Sequence, residues 1–389
     1  MAAITGSDRV NVLHYVEAFD HTELLERWLP VLTDIEGLKV TCHVKIEYVQ
    51  LLRKRFSQVP HLTLRCPRYG QGWASYLKEI NFTEDSRLVI ATIGRRPHWF
   101  ASAIGRVRYF VVLHNLNYCF DRGAYRKAAH SLKELVQDGR DYLRKPGKRR
   151  LFTQAEALLY PTEQLAQEGR QQFFLKGASH RVVPFAARRD CPKVSYSGSA
   201  VHPLKVIVPG SVTYRARDYD ALIEALAVAV PSGAAIEIHL AGRIIDAAIL
   251  QQLTNRLPHT IQTKVPSAVQ VFSYPNGLQE EQFITLLASA DILLAPLQME
   301  VPVGRYRELL GFTKASGTPF DAIYYGKPLL LPHYHPLRDP AVVHFSDGTQ
   351  LGLLLVEYAN RRNFPTNCWV ERSESALRDQ WIEALGLPR

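Results

Sequence analysis

The 389 residues contain no run of about 18 uninterrupted apolar residues, so no segment is expected to span a membrane. The first residues lack a basic stretch leading into an apolar run and a small-residue cleavage site, so no secretory leader is expected. Cysteine is sparse: Cys42, Cys66, Cys119, Cys191 and Cys368 are odd in number, and no two fall at metal-ligand spacing. That pattern favours independent, reduced thiols in a cytoplasmic protein. No Gly-x-Gly-x-x-Gly follows the first apolar strand, which removes the dinucleotide fingerprint, and no Gly-x-Ser-x-Gly offers a nucleophile elbow. His333-Tyr334-His335 has no third ligand in view, so no metal is expected.

What is there reads as a globular chain, with 47% apolar and 22% charged residues. Its length exceeds one ordinary core, which predicts two domains. In the first half, short apolar runs alternate with helical patterns. Strands are expected at Val10–Val16, Leu38–Val44, Leu62–Cys66, Leu88–Thr92, Tyr109–His114, Ala157–Tyr160 and Arg181–Phe185. A second alternating unit runs from Lys205, with strands at Lys205–Pro209, Ile236–Ala241, Val269–Phe272, Ile292–Ala295 and Pro328–Leu331. Alternation of this kind implies parallel sheets with helical crossovers, an α/β chain of two Rossmann-like domains facing a cleft. The expected boundaries are 1–190, a linker at 191–204, 205–370, and a terminal helix in 371–389 that packs back on the first domain.

Charge is uneven. The net +10 is concentrated between Arg122 and Arg150, where ten Lys or Arg face Glu134, Asp138 and Asp141. Basic helical material is expected from Arg122 to Leu143. Such a stretch suits an anionic lipid surface or a phosphorylated substrate, or is simply a solvated helix face. No recognition motif accompanies it, so nucleic acid is not an expected partner.

Two segments carry chemistry. Val206-Ile207-Val208-Pro209-Gly210-Ser211 is a strand running into a Gly-Ser turn, with Arg215 and Arg217 just beyond. Glycine lets the backbone approach a ligand, and arginines hold anionic oxygen. Gly311-Phe312-Thr313-Lys314-Ala315-Ser316-Gly317-Thr318-Pro319-Phe320-Asp321 places a Lys and a hydroxyl before a helix start with Pro319 in its first turn. Amides at that start, the positive dipole end, Ser316 and Lys314 suit a diphosphate. Asp321 suits vicinal ribose hydroxyls. An ordinary capped helix reads the same way.

From Val206 to about Pro332 the chain resembles the nucleotide-binding domain of retaining GT-B glycosyltransferases of the Glu-x7-Glu type. The pieces occur in the family's order: Pro209-Gly210-Ser211 with Arg215 and Arg217; His239-Leu240-Ala241-Gly242; the helix and strand Phe283 to Leu297; and Asp321-Ala322-Ile323-Tyr324-Tyr325-Gly326-Lys327-Pro328. The family's second Glu is Asp321 here, and its first falls on Thr313. Lys314-Ala315-Ser316-Gly317 resembles a bacterial subgroup that presents Lys and Ser to the phosphates. The first half resembles the acceptor domain more loosely, through Val10 to Thr22 and through Val111-Val112-Leu113-His114-Asn115.

The resemblance implies transfer of a sugar from a nucleotide-diphosphate donor to a hydroxyl of a glycan or lipid-linked acceptor, as in cell-surface polysaccharide synthesis at the inner membrane face. No cofactor is expected beyond the nucleotide sugar. Donor contacts are expected from Gly210, Ser211, Arg215, Arg217, Lys314, Ser316, Gly317, Thr318 and Asp321. His114, Glu17 and His21 are expected on the acceptor side, with Asp20 and Thr22 beside them. A nucleotide-sugar epimerase and a catalytically silent glycan- or partner-binding protein remain open alternatives.

Overall fold

The computed structural model describes residues 11–18, 21–92, 97–129, 131–189, 202–256, 268–365 and 368–388. The expected linker lies almost wholly outside them, as do Asp20 and Cys191.

Seven strands form one sheet: β1 (Asn11–Glu17), β2 (Leu38–Val44), β3 (Leu62–Arg65), β4 (Ser86–Ile90), β5 (Arg108–Val112), β6 (Ala157–Tyr160) and β7 (His180–Val182). Their order is β3-β2-β1-β4-β5-β6-β7, and every pair is parallel. The second half adds β8 (Leu204–Pro209), β9 (Ile236–Ala241), β10 (Val269–Ser273), β11 (Ile292–Leu294), β12 (Glu300–Val303), β13 (Tyr306–Leu309), β14 (Leu329–Pro332) and β15 (Val342–Phe345). Six of these form a second parallel sheet, β10-β9-β8-β11-β14-β15, while β12 and β13 pair as an antiparallel hairpin. The fold is therefore the two-sheet α/β architecture expected, GT-B in form. Central strands such as Val206–Val208 and Ile292–Leu294 are buried, as parallel strands covered on both faces by helices must be.

In each sheet the chain reverses its winding once, between β1 and β4 and between β8 and β11. Ligands in such sheets bind at the carboxyl ends of the strands beside that reversal. The two halves share one continuous apolar core. Phe185 meets Phe320 across it at 5.0 Å between ring centroids. The helix Thr22–Thr33 is central, its Trp28 fully buried and donating to the Pro184 carbonyl at 2.8 Å.

The C-terminal helix Glu374–Leu385 belongs spatially to the first half. Trp381 stands edge-on to Trp28 at 4.9 Å, and Arg87 and Arg181 donate to carbonyls at the helix end. The Arg87 Nε bond to Leu385 O is 2.9 Å.

Several elements differ from expectation. The basic helix runs from Leu132 to Thr153, not Arg122 to Leu143. It starts where the Ser131 hydroxyl accepts from the Glu134 amide at 3.3 Å, and it continues through Gly139 and Pro146 because the buried Lys148, Leu151 and Phe152 anchor its last turns. The hairpin β12–β13 was not anticipated, since Pro302 and Gly304 interrupt an already polar alternation. β15 lies where no strand was expected, and the helix Gly348–Arg361 follows it.

Candidate functional site

The second-half wall of the cleft begins where β8 ends. Gly210 has φ +92°, a left-handed conformation that glycine adopts without steric cost. The Arg217 guanidinium lies across it, so close that a Cβ at Gly210 would meet Arg217 Nη2 at 2.5 Å. Gly242 abuts the Gly210 carbonyl from the β9 side, which leaves no room for a side chain there either. Arg217 is buried and donates to the Pro209 carbonyl and, at 3.4 Å, to the Thr318 hydroxyl. Its Nε has no hydrogen-bond partner, and burial holds its pKa below the usual guanidinium value.

Thr318 belongs to the helix Gly317–Tyr325, where Ser316 takes the N-cap position without a side-chain capping bond. Gly317 opens onto free space. The sequence signal for a helix start is thus realised, and the start points into the cleft beside Arg217. Ser211 and Arg215 are exposed, and Arg215 reaches the Pro302 carbonyl of the hairpin at 3.0 Å.

The preceding segment, Leu310 to Ser316, crosses to the other half. The Leu116 amide donates to the Thr313 carbonyl at 2.8 Å, and the Ala315 amide to the His114 carbonyl at 3.1 Å. Lys314 Nζ donates to the Asn115 carboxamide at 2.7 Å, and burial pushes its ammonium pKa down. Lys314 is thereby set directly beside the first-half wall.

That wall is built at the ends of β1, β4 and β5. Glu17 is buried and accepts from the Thr92 hydroxyl at 2.6 Å. His21 precedes the helix Thr22–Thr33 and pairs with Glu23 at 3.3 Å, which raises its pKa above the ordinary 6.5. His114 stands edge-on to His21 at 5.4 Å. Its buried Nδ1 has no partner, and burial and the Lys314 charge hold its pKa well below the ordinary value, so the ring is neutral. The structure brings His114, His21, Glu17 and Lys314 close to one another.

Asp321 is placed differently from its expected neighbours. Its carboxylate accepts from Arg27 of the first-half helix at 2.5 Å, and both side chains are largely buried. Arg27 also lies over the Tyr324 ring at 5.3 Å. Burial pushes the Asp321 carboxyl up, and Arg27 opposes the shift. The acid thus meets a guanidinium where a ribose contact was expected.

Sequence reading missed Glu308. It is completely buried on β13, yet it accepts from the amides of Asn117 at 3.1 Å and Tyr118 at 2.8 Å in the other half. Asn117 in turn donates to the Arg307 carbonyl at 2.7 Å and to the Thr313 hydroxyl at 3.2 Å. The hairpin thus clasps the first half beside Lys314. A glutamate on a polar, Pro-interrupted segment gave no periodic signal. Arg27 was missed as well, because it occupies a polar position of an amphipathic helix. His333 and His335 lie beyond β14, and the buried His335 Nδ1 accepts from the Leu337 amide at 3.3 Å, a loop-stabilising role.

No family model matches the chain, and no curated protein matches it in sequence. Solved structures share its fold. Anabaena Alr3699/HepE in complex with UDP and glucose superposes with a TM-score of 0.58 at 12% identity, over 96% of this chain and 99% of that one. WaaG, a glycosyltransferase involved in lipopolysaccharide biosynthesis, gives 0.54 at 16% identity, over 96% and 99%. A UDP-N-acetylglucosamine 2-epimerase gives 0.53 at 11% identity, over 97% and 96%. Against the pneumococcal O-GlcNAc transferase GtfA, bound to UDP and GlcNAc, the TM-score is 0.51 at 10% identity, and this chain spans only 59% of that chain's length.

Proposed function

We propose that the chain transfers a sugar from a nucleotide-diphosphate donor to a hydroxyl of a glycan or lipid-linked acceptor, with the donor diphosphate held at the start of the helix Gly317–Tyr325. One observation carries the reading: the buried Arg217 and the half-buried Lys314 are cations whose hydrogen-bond partners are a carbonyl, a hydroxyl and a carboxamide, all neutral, at a helix N-terminus. The nearby acids are committed elsewhere, Glu308 to the Asn117 and Tyr118 amides and Asp321 to Arg27, so an anion seated between the two cations would offset the cost of withdrawing them from water. Transfer breaks the bond between the anomeric carbon and the diphosphate oxygen and forms one to the acceptor oxygen, which loses its proton. Charge develops on the departing diphosphate, where preorganised cations stabilise the transition state most. Neutral His114 beside His21 and Glu17 suits a polar, uncharged acceptor hydroxyl, and His21 and Glu17 are the candidate bases should the reaction invert configuration. Ser316, Thr318 and the backbone at Gly210 and Gly317 complete the donor cradle. Asp321 reaches ribose only after the Arg27 side chain gives way. The fold shared with the UDP-bound HepE supports the reading. So does the basic stretch 122–150, which suits an acceptor presented at an anionic membrane surface on the cytoplasmic side.

A thermal-shift series with UDP, GDP, TDP, ADP and CMP tests the donor site. A ligand that binds only the folded chain raises the melting temperature. A rise with one nucleotide that is lost in Lys314→Ala is the expected result, and no rise with any nucleotide removes the proposal. The fold shared with the epimerase keeps a second reading in play. Incubating a nucleotide sugar without acceptor separates the two, since an epimerase yields free nucleotide or an isomerised sugar. Thr313 at the family's acidic position and the Arg27–Asp321 pair favour a third, a binding protein without turnover; there Lys314→Ala leaves partner binding intact.

A further inference from the structure

The helix Leu132–Thr153 is built inside out. Leu132, Leu135, Val136, Tyr142 and Leu143 share one face at spacings of three, four and seven residues, with Gly139 between them and Pro146 beyond. That face is turned to solvent: Leu132 is 78% exposed, Tyr142 73% and Leu143 80%. The acids point the other way. Asp138 receives Arg126 at 2.5 Å and also Arg305 from the β12–β13 turn, and Asp141 accepts from Gln137 at 2.8 Å. Exposed Lys133 and Arg140 border the apolar stripe along one side, and Arg150 lies beyond its C-terminal end.

We infer that this helix lies in the plane of an anionic lipid bilayer, its apolar stripe sunk below the headgroups and its lysine and arginines on lipid phosphates. Charge selects the occupant. A second copy pairing through the same stripe would bring Lys133, Arg140 and Arg150 of each copy to one seam, where like charges repel. Nucleic acid would satisfy the cations and leave the stripe in water. An anionic bilayer accepts both, apolar side chains below and cations at the surface, with Tyr142 at the headgroup level. The clasp extends the consequence. Arg305 donates to the Lys127 and Glu134 carbonyls and pairs with Asp138, and the same hairpin carries Glu308 beside Lys314. The membrane-facing helix is thus tied to the cleft through one element. The inference rests on the membrane-side acceptor of the proposed function for its purpose, not for its measurement, which uses neither donor nor acceptor.

The test is co-sedimentation of the full chain with vesicles of phosphatidylcholine alone and of phosphatidylcholine mixed with phosphatidylglycerol, at low and high salt. Binding is expected only to the anionic vesicles. The double variant Leu135→Ser, Leu143→Ser is expected to lose about tenfold or more in affinity at both salt levels, since it removes inserted area. Lys133→Gln with Arg140→Gln is expected to lose affinity chiefly at low salt. All four side chains are exposed, so circular dichroism melts should stay at the parent temperature. Tyr142→Trp adds a positional readout, a blue-shifted emission quenched by brominated lipid. Undiminished vesicle binding by the serine variant overturns the inference. So does a dimer in sedimentation analysis that the serine variant dissolves. Transfer to a short water-borne acceptor, measured separately, reports on the proposed function alone.

Discussion

On the second-half wall of the cleft, the buried Arg217 and the half-buried Lys314 are cations with neutral hydrogen-bond partners; on the first-half wall, His21 is matched by Glu23, Glu17 accepts from Thr92, and His114 is held neutral. The two walls are chemically unequal although both sit at the winding reversal of a parallel sheet. The difference teaches which wall is short of an anion. Each cation has an acid near it, Glu308 beside Lys314 and Asp321 near Arg217, yet Glu308 is taken by the Asn117 and Tyr118 amides and Asp321 by Arg27 from across the cleft.

The contrast can be broken most severely at Lys314. Lys314→Ala is expected to lower turnover about a hundred- to a thousandfold and to erase the nucleotide-induced rise in melting temperature, because it removes charge where the leaving group develops it. Its hydrogen-bond partner Asn115 is neutral, but the buried Glu308 lies beside it, so a modest ligand-free fall in melting temperature is expected as well. A large ligand-free loss would recast Lys314 as structural.

Arg27→Met attacks the pair that joins the walls. Removing one partner of a buried ion pair costs about 3–5 kcal/mol, because the other charge stays buried and uncompensated. Urea titration should show that loss, and adding Asp321→Asn should restore much of it. If the double variant is no more stable than the single one, the pair is not coupled as drawn.

His114→Ala sharpens the division of labour. We expect kcat to fall by about a hundredfold while the nucleotide-induced melting shift is retained, since the proposed donor site lies on the second-half wall. Loss of both together would place His114 in the donor site.

The smallest effect concerns pH. His21 has a raised pKa, so its pairing with Glu23 stabilises the fold fully below the ordinary 6.5 and fades as pH rises through the folded value. Glu23→Gln should therefore lower the melting temperature more in mildly acidic buffer than in alkaline buffer, by a modest amount because both side chains are partly exposed. Were His21 also the base, activity would fall on the acid side, and the same variant would move that midpoint down. A midpoint unmoved by Glu23→Gln removes His21 from that role.

Much of this was legible in the chain. Strands such as Val206–Val208 and Ile292–Leu294 are continuous apolar runs because helices cover both faces, and that alone announces parallel sheets. The helix start at Gly317 follows from Ser316 and Pro319 in local order. Less legible were the length of the basic helix, whose Gly139 and Pro146 argue locally for breaks, and the hairpin, whose Pro302 argues against a strand.

Sequence by itself determined the two sheets, the helix termini and the loops carrying cations, because hydrophobic period and capping act over a few residues. Only the tertiary structure decided which charges meet. Arg27 and Asp321 lie 294 positions apart, Glu308 reaches amides 191 and 190 positions away, and the stripe of the helix Leu132–Thr153 faces outward because Asp138 is drawn inward by Arg126 and by an arginine of the other half. Such pairings depend on distance in space, which the order of residues along the chain does not state until the core has closed around them.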